Sequence, residues 1–161
     1  MIVVSDTSAI SALIQIRRLD LLRELFQKVV LPSEVWNELM VLSEFGVDVS
    51  VLQESEWLQR DTPQTSPLLT LLQDLLDKGE AQALALAVDR KADLLIIDEQ
   101  KGRKIAASLG LVFTGIGGVF IRAKQAGLID SVRSLLDQIE QEAGFYLSAT
   151  VRTIILQAAG E

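Results

Sequence analysis

The sequence predicts an α/β fold in which helices cover both faces of a central parallel sheet, a three-layer α/β/α sandwich. Short apolar runs typical of buried strands alternate along the chain with longer segments of helical periodicity. This alternation predicts parallel strands joined by right-handed crossovers. The 161 residues, 49% of them hydrophobic, suit one domain with a substantial core. We therefore predict a single domain over residues 1–161, with a helical C-terminal extension from about residue 117.

The first half of the chain contains two clear strand patterns and three helical ones. Pro32 closes the second strand, and Ser33 is a favourable N-cap for the helix that follows. Residues 44–65 have the least regular pattern, and Pro63 and Pro67 indicate loop near its end. The predicted elements are strands at Ile2–Val4 and Lys28–Leu31, helices at 7–15, 19–26 and 33–42, and a short strand at Trp57–Arg60.

The second half continues the same alternation and then becomes helical. Leu94–Ile97 is the strongest strand pattern in the chain, and Gly110 is typical of a helix C-terminus. The predicted elements are helices at 68–77, 79–89 and 99–109, strands at Leu94–Ile97 and Leu111–Phe113, and final helices near 117–126, 130–142 and 148–158.

Two residue types are missing from the chain, and their absence excludes several kinds of chemistry. Without cysteine there are no disulfides, zinc–thiolate sites or thiol nucleophiles. Without histidine there is no Ser-His-Asp or Cys-His mechanism and no usual general base near neutral pH. Carboxylates, hydroxyls, lysine, arginine and tyrosine remain, and oxygen ligands favour Mg²⁺ or Mn²⁺ over zinc.

The charge of the chain is unevenly distributed. Its net charge of −7 argues mildly against general nucleic-acid affinity. Residues 91–125, however, contain six basic and three acidic residues, a balance of +3, so the remainder carries −10. The longest uncharged apolar stretch, Leu109–Ile121, is too short to cross a bilayer. With no signal-peptide pattern at the start, we expect a soluble cytoplasmic protein.

Asp6 and Asp98 each follow an apolar strand pattern directly. Because ligand sites of parallel sheets form outside the carboxyl ends of the strands, we expect both acids at the same sheet edge. The alternative is that each aspartate is an ordinary N-cap of the helix that follows it.

Glu38 and Glu80 lie on helices whose patterns do not favour an acid. Glu38 falls within the apolar stripe formed by Val35, Leu39 and Leu42, although it could also lie half-exposed at the margin of that stripe. Glu80 begins a helix that is apolar almost all round, where a first-turn glutamate would also complement the helix dipole.

Considered together, the four acids predict a carboxylate pocket. Several carboxylates cannot all ionise in one pocket without a counter-ion, and an oxygen-only pocket suits a divalent cation. Such a pocket would suit a metal-dependent phosphodiesterase. We expect phosphate contact from basic side chains of the helix after Asp98, which could also be an ordinary exposed basic face, and hydroxyl groups from the start of the first helix, where ordinary capping is the alternative. These candidate substrate-binding residues are Lys101, Arg103, Lys104, Thr7 and Ser8, with Arg17 and Arg18 as weaker candidates.

An ordered series of segments across nearly the whole chain resembles the PIN-domain nucleases, in particular a prokaryotic branch related to the VapC toxins. The series is specific as a whole, whereas each segment alone is a weak signal. The matching segments are Val3–Ser8, Pro32–Leu39, Gly79–Ala87, Leu95–Glu99, Gly102–Ala106, Leu109–Leu111 and Thr114–Val119.

The resemblance implies an Mg²⁺- or Mn²⁺-dependent endoribonuclease, often the toxin of a toxin–antitoxin pair. It makes Asp6 and Asp98 the principal metal ligands, with Glu38 and Glu80 completing the catalytic set. The chain departs from the family pattern at two places: the third acid is Glu80 rather than an aspartate, and Glu99 follows Asp98. Glu99 could therefore share the metal role.

Two alternative functions and one expectation about oligomeric state accompany this prediction. A catalytically inactive PIN-like protein could bind RNA or an antitoxin without cutting. A phospho-acceptor domain is disfavoured because Asp6-Thr7-Ser8 lacks the second aspartate of such sites. We also expect a homodimer or higher oligomer, because Leu135, Leu136 and Ile139 and then Val151, Ile154 and Ile155 form apolar faces, although core packing would explain them too.

Overall fold

A computed structural model describes all residues 1–161 and contains one five-stranded sheet in which every strand pair is parallel. The strand order is β3-β2-β1-β4-β5, with β1 at the centre. The strands are β1 at Val3–Ser5, β2 at Val29–Pro32, β3 at Leu58–Asp61, β4 at Leu94–Ile96 and β5 at Phe113–Thr114.

The strands alternate between two separate hydrophobic cores, one on each face of the sheet. Val3 of β1 belongs to the larger core, and its neighbour Val4 belongs to the smaller one. Because side chains of a strand point alternately to opposite faces, a strand covered on both sides is apolar throughout. The predicted three-layer α/β/α architecture is therefore confirmed.

Ten α-helices cover the sheet. They are α1 at Thr7–Gln15, α2 at Asp20–Phe26, α3 at Ser33–Val41, α4 at Ser50–Glu54, α5 at Pro67–Leu75, α6 at Lys78–Asp89, α7 at Gln100–Ser108, α8 at Ile116–Gln125, α9 at Val132–Ala143 and α10 at Ala149–Ala158. Buried residues of α5, α6 and α7 form the smaller core, and those of the other helices contribute to the larger one.

The differences from the predicted elements are small and have local causes. The prediction missed α4, a five-residue helix inside the irregular segment 44–65, because so short a helix has little periodicity. Pro32 belongs to β2 rather than only closing it. A 3₁₀ turn at Leu42–Phe45 ends the helix that starts at Ser33.

The C-terminal helices are held in place by polar contacts as well as by packing. Arg152 of α10 forms ion pairs with Asp137 and Glu140 of α9. The Glu161 side chain accepts hydrogen bonds from the N–H groups of Val132, at 2.7 Å, and Arg133, at 3.2 Å, at the start of α9. Both ends of α10 are therefore tied to the rest of the domain.

The apolar faces of the last two helices differ in exposure. Leu135, Leu136 and Ile139 of α9 are buried in the larger core, so they are core residues and not a free surface. In α10, Val151 and Ile154 are exposed, while Ile155 packs beside Gly117 of α8. None of the ten helices is both long enough and apolar enough to cross a membrane.

Candidate metal-dependent active site

The structure brings Asp6 and Asp98 to the same edge of the sheet. They follow β1 and β4, which are adjacent and parallel, with Ser5 opposite Ile96. The Asp6 N–H continues this pairing by donating to the Ile96 carbonyl at 3.0 Å. The two aspartates therefore emerge side by side at the carboxyl ends of neighbouring strands, where parallel sheets form their sites.

Asp6 is 1% exposed, and neither of its carboxylate oxygens has a hydrogen-bond partner. Asp6 precedes α1 at the N-cap position, yet its side chain makes no capping hydrogen bond. Asp6 therefore holds the N-cap position without a side-chain hydrogen bond to α1. Burial raises the pKa of Asp6 well above its usual value, the charges of Asp98 and Glu80 add to that rise, and the nearby N–H groups of Ala9 and Asp98 oppose it.

Asp98 accepts hydrogen bonds from the Ile116 N–H at 3.0 and 3.3 Å. It therefore caps the N-terminus of α8 and not α7, the helix that follows it in sequence. Gly115 makes this possible, because a Cβ at that position would collide with the Asp98 carboxylate. Burial raises the pKa of Asp98 to about 6, while the Ile116 N–H and the charge of Arg103 oppose that rise.

Glu38 connects the starts of two helices from its place on α3. Its carboxylate accepts a hydrogen bond from the Thr7 hydroxyl of α1 and another from the Gly79 N–H of α6, at 3.1 Å. The predicted conflict between an acid and an apolar stripe is therefore resolved by polar partners at half-burial. Thr7, a predicted substrate-binding residue, is a partner of Glu38 in this structure.

Glu80 lies in the first turn of α6, half-buried. Its backbone N–H donates to Asp77, the N-cap of the helix, at 2.9 Å. Burial raises the pKa of the Glu80 side chain to about 7, and the charges of Asp77, Glu99 and Glu38 add to this rise while Lys101 opposes it. Glu99 is exposed, but its charge raises the pKa of Glu80 and of Asp98, so it belongs to the same acidic centre.

Two cavities meet at Asp98. One has a volume of about 300 Å³ and is lined by Ser8, Glu99 and Tyr146, among others. The other has a volume of about 730 Å³ and contains two of the predicted basic residues, Arg103 and Lys104. The Arg103 guanidinium lies 5.3 Å from the centre of the Phe113 ring, a cation–π distance.

The weaker basic candidates lie elsewhere. Arg17 lines a separate cavity of about 620 Å³ that shares no lining residue with the two cavities at Asp98. Arg18 pairs with Asp20 on the surface. The structure therefore does not bring Arg17 and Arg18 to the acidic centre.

The donor set fits a hard divalent cation, although the acids do not form a closed cage. No group of three or more acidic side chains is arranged so that all could hold one ion together. The buried and unpartnered Asp6 carboxylate is nevertheless a group that a bound cation would satisfy. Mg²⁺ is usually held by one or two carboxylates with water completing its shell, and Asp6 and Asp98 suit that role.

Several residues that shape or line this centre were not predicted as such. Gly79 and Gly115 were recognised only as parts of longer motifs, yet each provides the space that Glu38 or Asp98 occupies. The cap of Asp98 on α8 is a contact between residues far apart in sequence, and no local pattern signals it. Tyr146 carried no signal at all, because it lies in a short connection between two helices.

The fold and the site together define a three-layer α/β protein with a buried acidic centre at the carboxyl edge of its parallel sheet. Residues 2–161 match the model of a family described as a PIN domain, DUF3368. The chain therefore belongs to this PIN-domain family. PIN domains are generally nucleases, a class of hydrolases, and they typically use divalent metals.

Comparison with solved structures supports the same fold. The chain is similar to a PilT N-terminus domain protein from the hyperthermophilic archaeon Sulfolobus solfataricus P2, with 17% sequence identity and a TM-score of 0.50. The similarity covers 74% of this chain and 90% of that protein. At this identity the likeness shows a shared fold and nothing more. No curated protein matches the sequence.

Proposed function

We propose that this protein is an Mg²⁺- or Mn²⁺-dependent endoribonuclease whose centre is formed by Asp6 and Asp98, with Glu80 and Glu38 beside them. The observation that carries the proposal is the buried Asp6 carboxylate without a partner, beside a second acid on the neighbouring strand. An ionised carboxylate in that position is costly for the fold alone. A role in binding a cation explains why it is there.

Each residue of the centre would have a distinct role in binding or proton transfer. Asp6 and Asp98 would hold the cation, and Glu80 and Glu99 would contact it through water. A bound cation would supply Lewis acidity and make a water molecule more acidic at neutral pH. Glu80, a half-buried carboxylate beside the two aspartates, would accept and return a proton there. Arg103, Lys104 and Lys101 would bind phosphates of the RNA.

Two further parts of the proposal concern partners. The resemblance to VapC-related proteins supports a toxin that a small antitoxin protein inhibits. The exposed Val151 and Ile154 of α10 support a surface for such a protein or for a second copy of the chain. Measuring the molecular mass in solution, with and without a co-expressed neighbouring gene product, would separate the two cases.

A specific observation favours a second candidate, a catalytically inactive RNA- or antitoxin-binding protein. Glu38 is engaged by Thr7 and Gly79, and no three acids can hold one ion as they stand. Titration calorimetry with Mn²⁺ distinguishes the candidates. An active centre would show heat of binding that disappears in Asp6→Asn, whereas an inactive one would show no binding that depends on Asp6.

The direct test is cleavage of single-stranded RNA in Mg²⁺ or Mn²⁺. Asp6→Asn and Asp98→Asn should each abolish the activity, because each removes one carboxylate charge from the centre. Asp74→Asn on α5 is the matched control, since it removes the same charge from an exposed position outside both cavities at Asp98. Cleavage that survives in both active-site variants would contradict the mechanism.

A further inference from the structure

We infer that Tyr146 is a base-stacking residue beside the acidic centre, and that it selects single-stranded RNA as the substrate. The inference rests on the proposed function, because it assigns a nucleotide-binding role to a residue at that same centre. It adds a specificity-determining residue to the acids and basic side chains described above.

The connection between α9 and α10 holds Tyr146 in an outward position. Gly144 ends α9 with a φ of +62°, a left-handed conformation that favours glycine. The next residue, Phe145, donates its N–H to the Ile139 carbonyl at 3.0 Å. Phe145 and Leu147 are half-buried and pack against the larger core, whereas Tyr146 between them is 72% exposed. The backbone is therefore anchored on both sides of an exposed aromatic ring.

Tyr146 lies beside the acidic centre and not on a remote surface. Tyr146 lines the 300 Å³ cavity together with Ser8, Asp98 and Glu99. Asp98 and Leu147 also line the 730 Å³ cavity, so the two cavities are adjacent at Asp98. An extended polymer bound across Asp98 would therefore occupy both cavities.

The chemistry of the two cavities indicates a nucleic-acid strand as that molecule. On one side of Asp98, Arg103 and Lys104 provide positive charge for phosphates, and the same cavity is lined by Val151 and Ile154, the exposed residues proposed above for a protein partner. On the other side, Tyr146 provides an aromatic face of the kind on which bases stack. Stacking on a side chain requires a base that is not paired within a duplex, so the arrangement favours a single strand.

Tyr146 can be changed without disturbing the core. It is the only tyrosine of the chain, and most of its side chain is in solvent. Phe45 offers a matched control, because it is 77% exposed and lines neither cavity at Asp98. A general effect of removing an exposed aromatic residue would appear in both variants, while a stacking effect would appear only at Tyr146.

The experiment measures the affinity of the full chain for a fluorescent single-stranded RNA in Mn²⁺, with Asp6→Asn present to prevent cleavage. Tyr146→Ala should weaken binding by about 10-fold or more, as expected for one stacked base. Tyr146→Phe, which keeps the ring, and Phe45→Ala should leave the affinity unchanged. Duplex RNA of the same sequence should bind more weakly and respond little to Tyr146→Ala. Photocrosslinking of RNA containing 5-iodouridine, followed by mass spectrometry, should modify Tyr146.

Each outcome has a defined meaning. The inference is overturned if Tyr146→Ala and Phe45→Ala have equal effects, or if the RNA does not bind at all. It is also overturned if Tyr146→Ala abolishes only the capture of a co-expressed protein, because the surface would then serve a protein partner. If binding depends on Tyr146 but the unmodified protein does not cleave RNA, the stacking role of Tyr146 stands, while the RNA is a bound ligand and the proposed nuclease function fails.

Discussion

The Glu38 carboxylate occupies the space that a side chain at Gly79 would need. Glu38 accepts the Gly79 N–H at 3.1 Å, and a Cβ added to Gly79 would lie 2.6 Å from Glu38 Oε2. The glycine thus lets α3 supply an acid to the start of α6. Because Glu80 is the next residue, this contact also determines where the third acid of the centre lies.

A double-mutant cycle tests this relationship. Gly79→Ala alone should lower the free energy of unfolding by about 1–3 kcal/mol, as overpacking of a tight contact does. In a Glu38→Ala background the same change should be neutral or stabilising by up to about 1 kcal/mol, since alanine favours helix more than glycine. Urea unfolding of the four proteins measures the coupling. Additive effects would show that the contact does not restrict position 79.

The buried Asp6 carboxylate should reduce the stability of the metal-free protein. In EDTA at pH 7.5, Asp6→Asn should raise the free energy of unfolding by about 1–3 kcal/mol, because a neutral amide avoids the cost of ionising or protonating a buried carboxylate at this pH. Asp74→Asn should have little effect under the same conditions. A loss of stability in Asp6→Asn would mean that Asp6 has a structural partner that the structure does not reveal.

Mn²⁺ should reduce or reverse the difference in stability between the unmodified protein and Asp6→Asn. A ligand that binds only the folded state adds about 2.7 kcal/mol of stability at a concentration of 100 Kd. The unmodified protein should therefore gain thermal stability on addition of Mn²⁺, and Asp6→Asn should not. Equal gains in both would place the cation somewhere other than at Asp6.

The stability of the metal-free protein should fall as pH rises from about 4.5 to 7. The pKa of Asp98 is raised from 3.8 to about 6, and that of Glu80 from 4.5 to about 7, so the folded state binds more protons than the unfolded state in this window. Asp98 alone could account for about 2 kcal/mol within this window, out of about 3 kcal/mol for the whole shift at 1.36 kcal/mol for each pKa unit. Two exposed acids with a lowered pKa, Asp48 and Glu161, act in the opposite direction below this window.

Urea midpoints at pH 5 and pH 7.5 in EDTA measure this dependence. Asp98→Asn keeps an oxygen that can accept the Ile116 N–H, so it should retain the cap of α8 while flattening the slope. Saturating Mn²⁺ should oppose the fall, because cation binding requires ionised carboxylates. A stability that rises with pH in EDTA would contradict the raised pKa values of these acids.

Arg103 should contribute one phosphate contact to RNA binding. Arg103→Ala should weaken the affinity for single-stranded RNA and reduce the slope of log affinity against log salt concentration by about 0.7. Arg23→Ala removes the same charge from an exposed position on α2 and should leave the slope unchanged. Identical slopes for the two variants would indicate that Arg103 does not contact an RNA phosphate and that it affects the site only by interacting with Asp98 and Phe113.

The sequence by itself determined the layers of the fold and the edge at which its site lies. Buried strands such as Leu94–Ile96 are apolar throughout, helices have their own periodicity, and an acid directly after a strand must appear at the carboxyl edge. These are local signals, so they predicted the parallel sheet and the places of Asp6 and Asp98. The five-residue α4 was missed because it is too short to have such a signal.

Only the tertiary structure decided what each acid contacts. Asp98 caps α8 rather than α7, Glu38 binds across to Gly79, Asp6 is left without a partner, and Tyr146 is brought to the acidic centre. These relationships join residues that are from 18 positions apart, for Asp98 and Ile116, to 138 positions apart, for Ser8 and Tyr146. They depend on helix packing and on the space left by glycines, and neither is encoded in the pattern of any single segment.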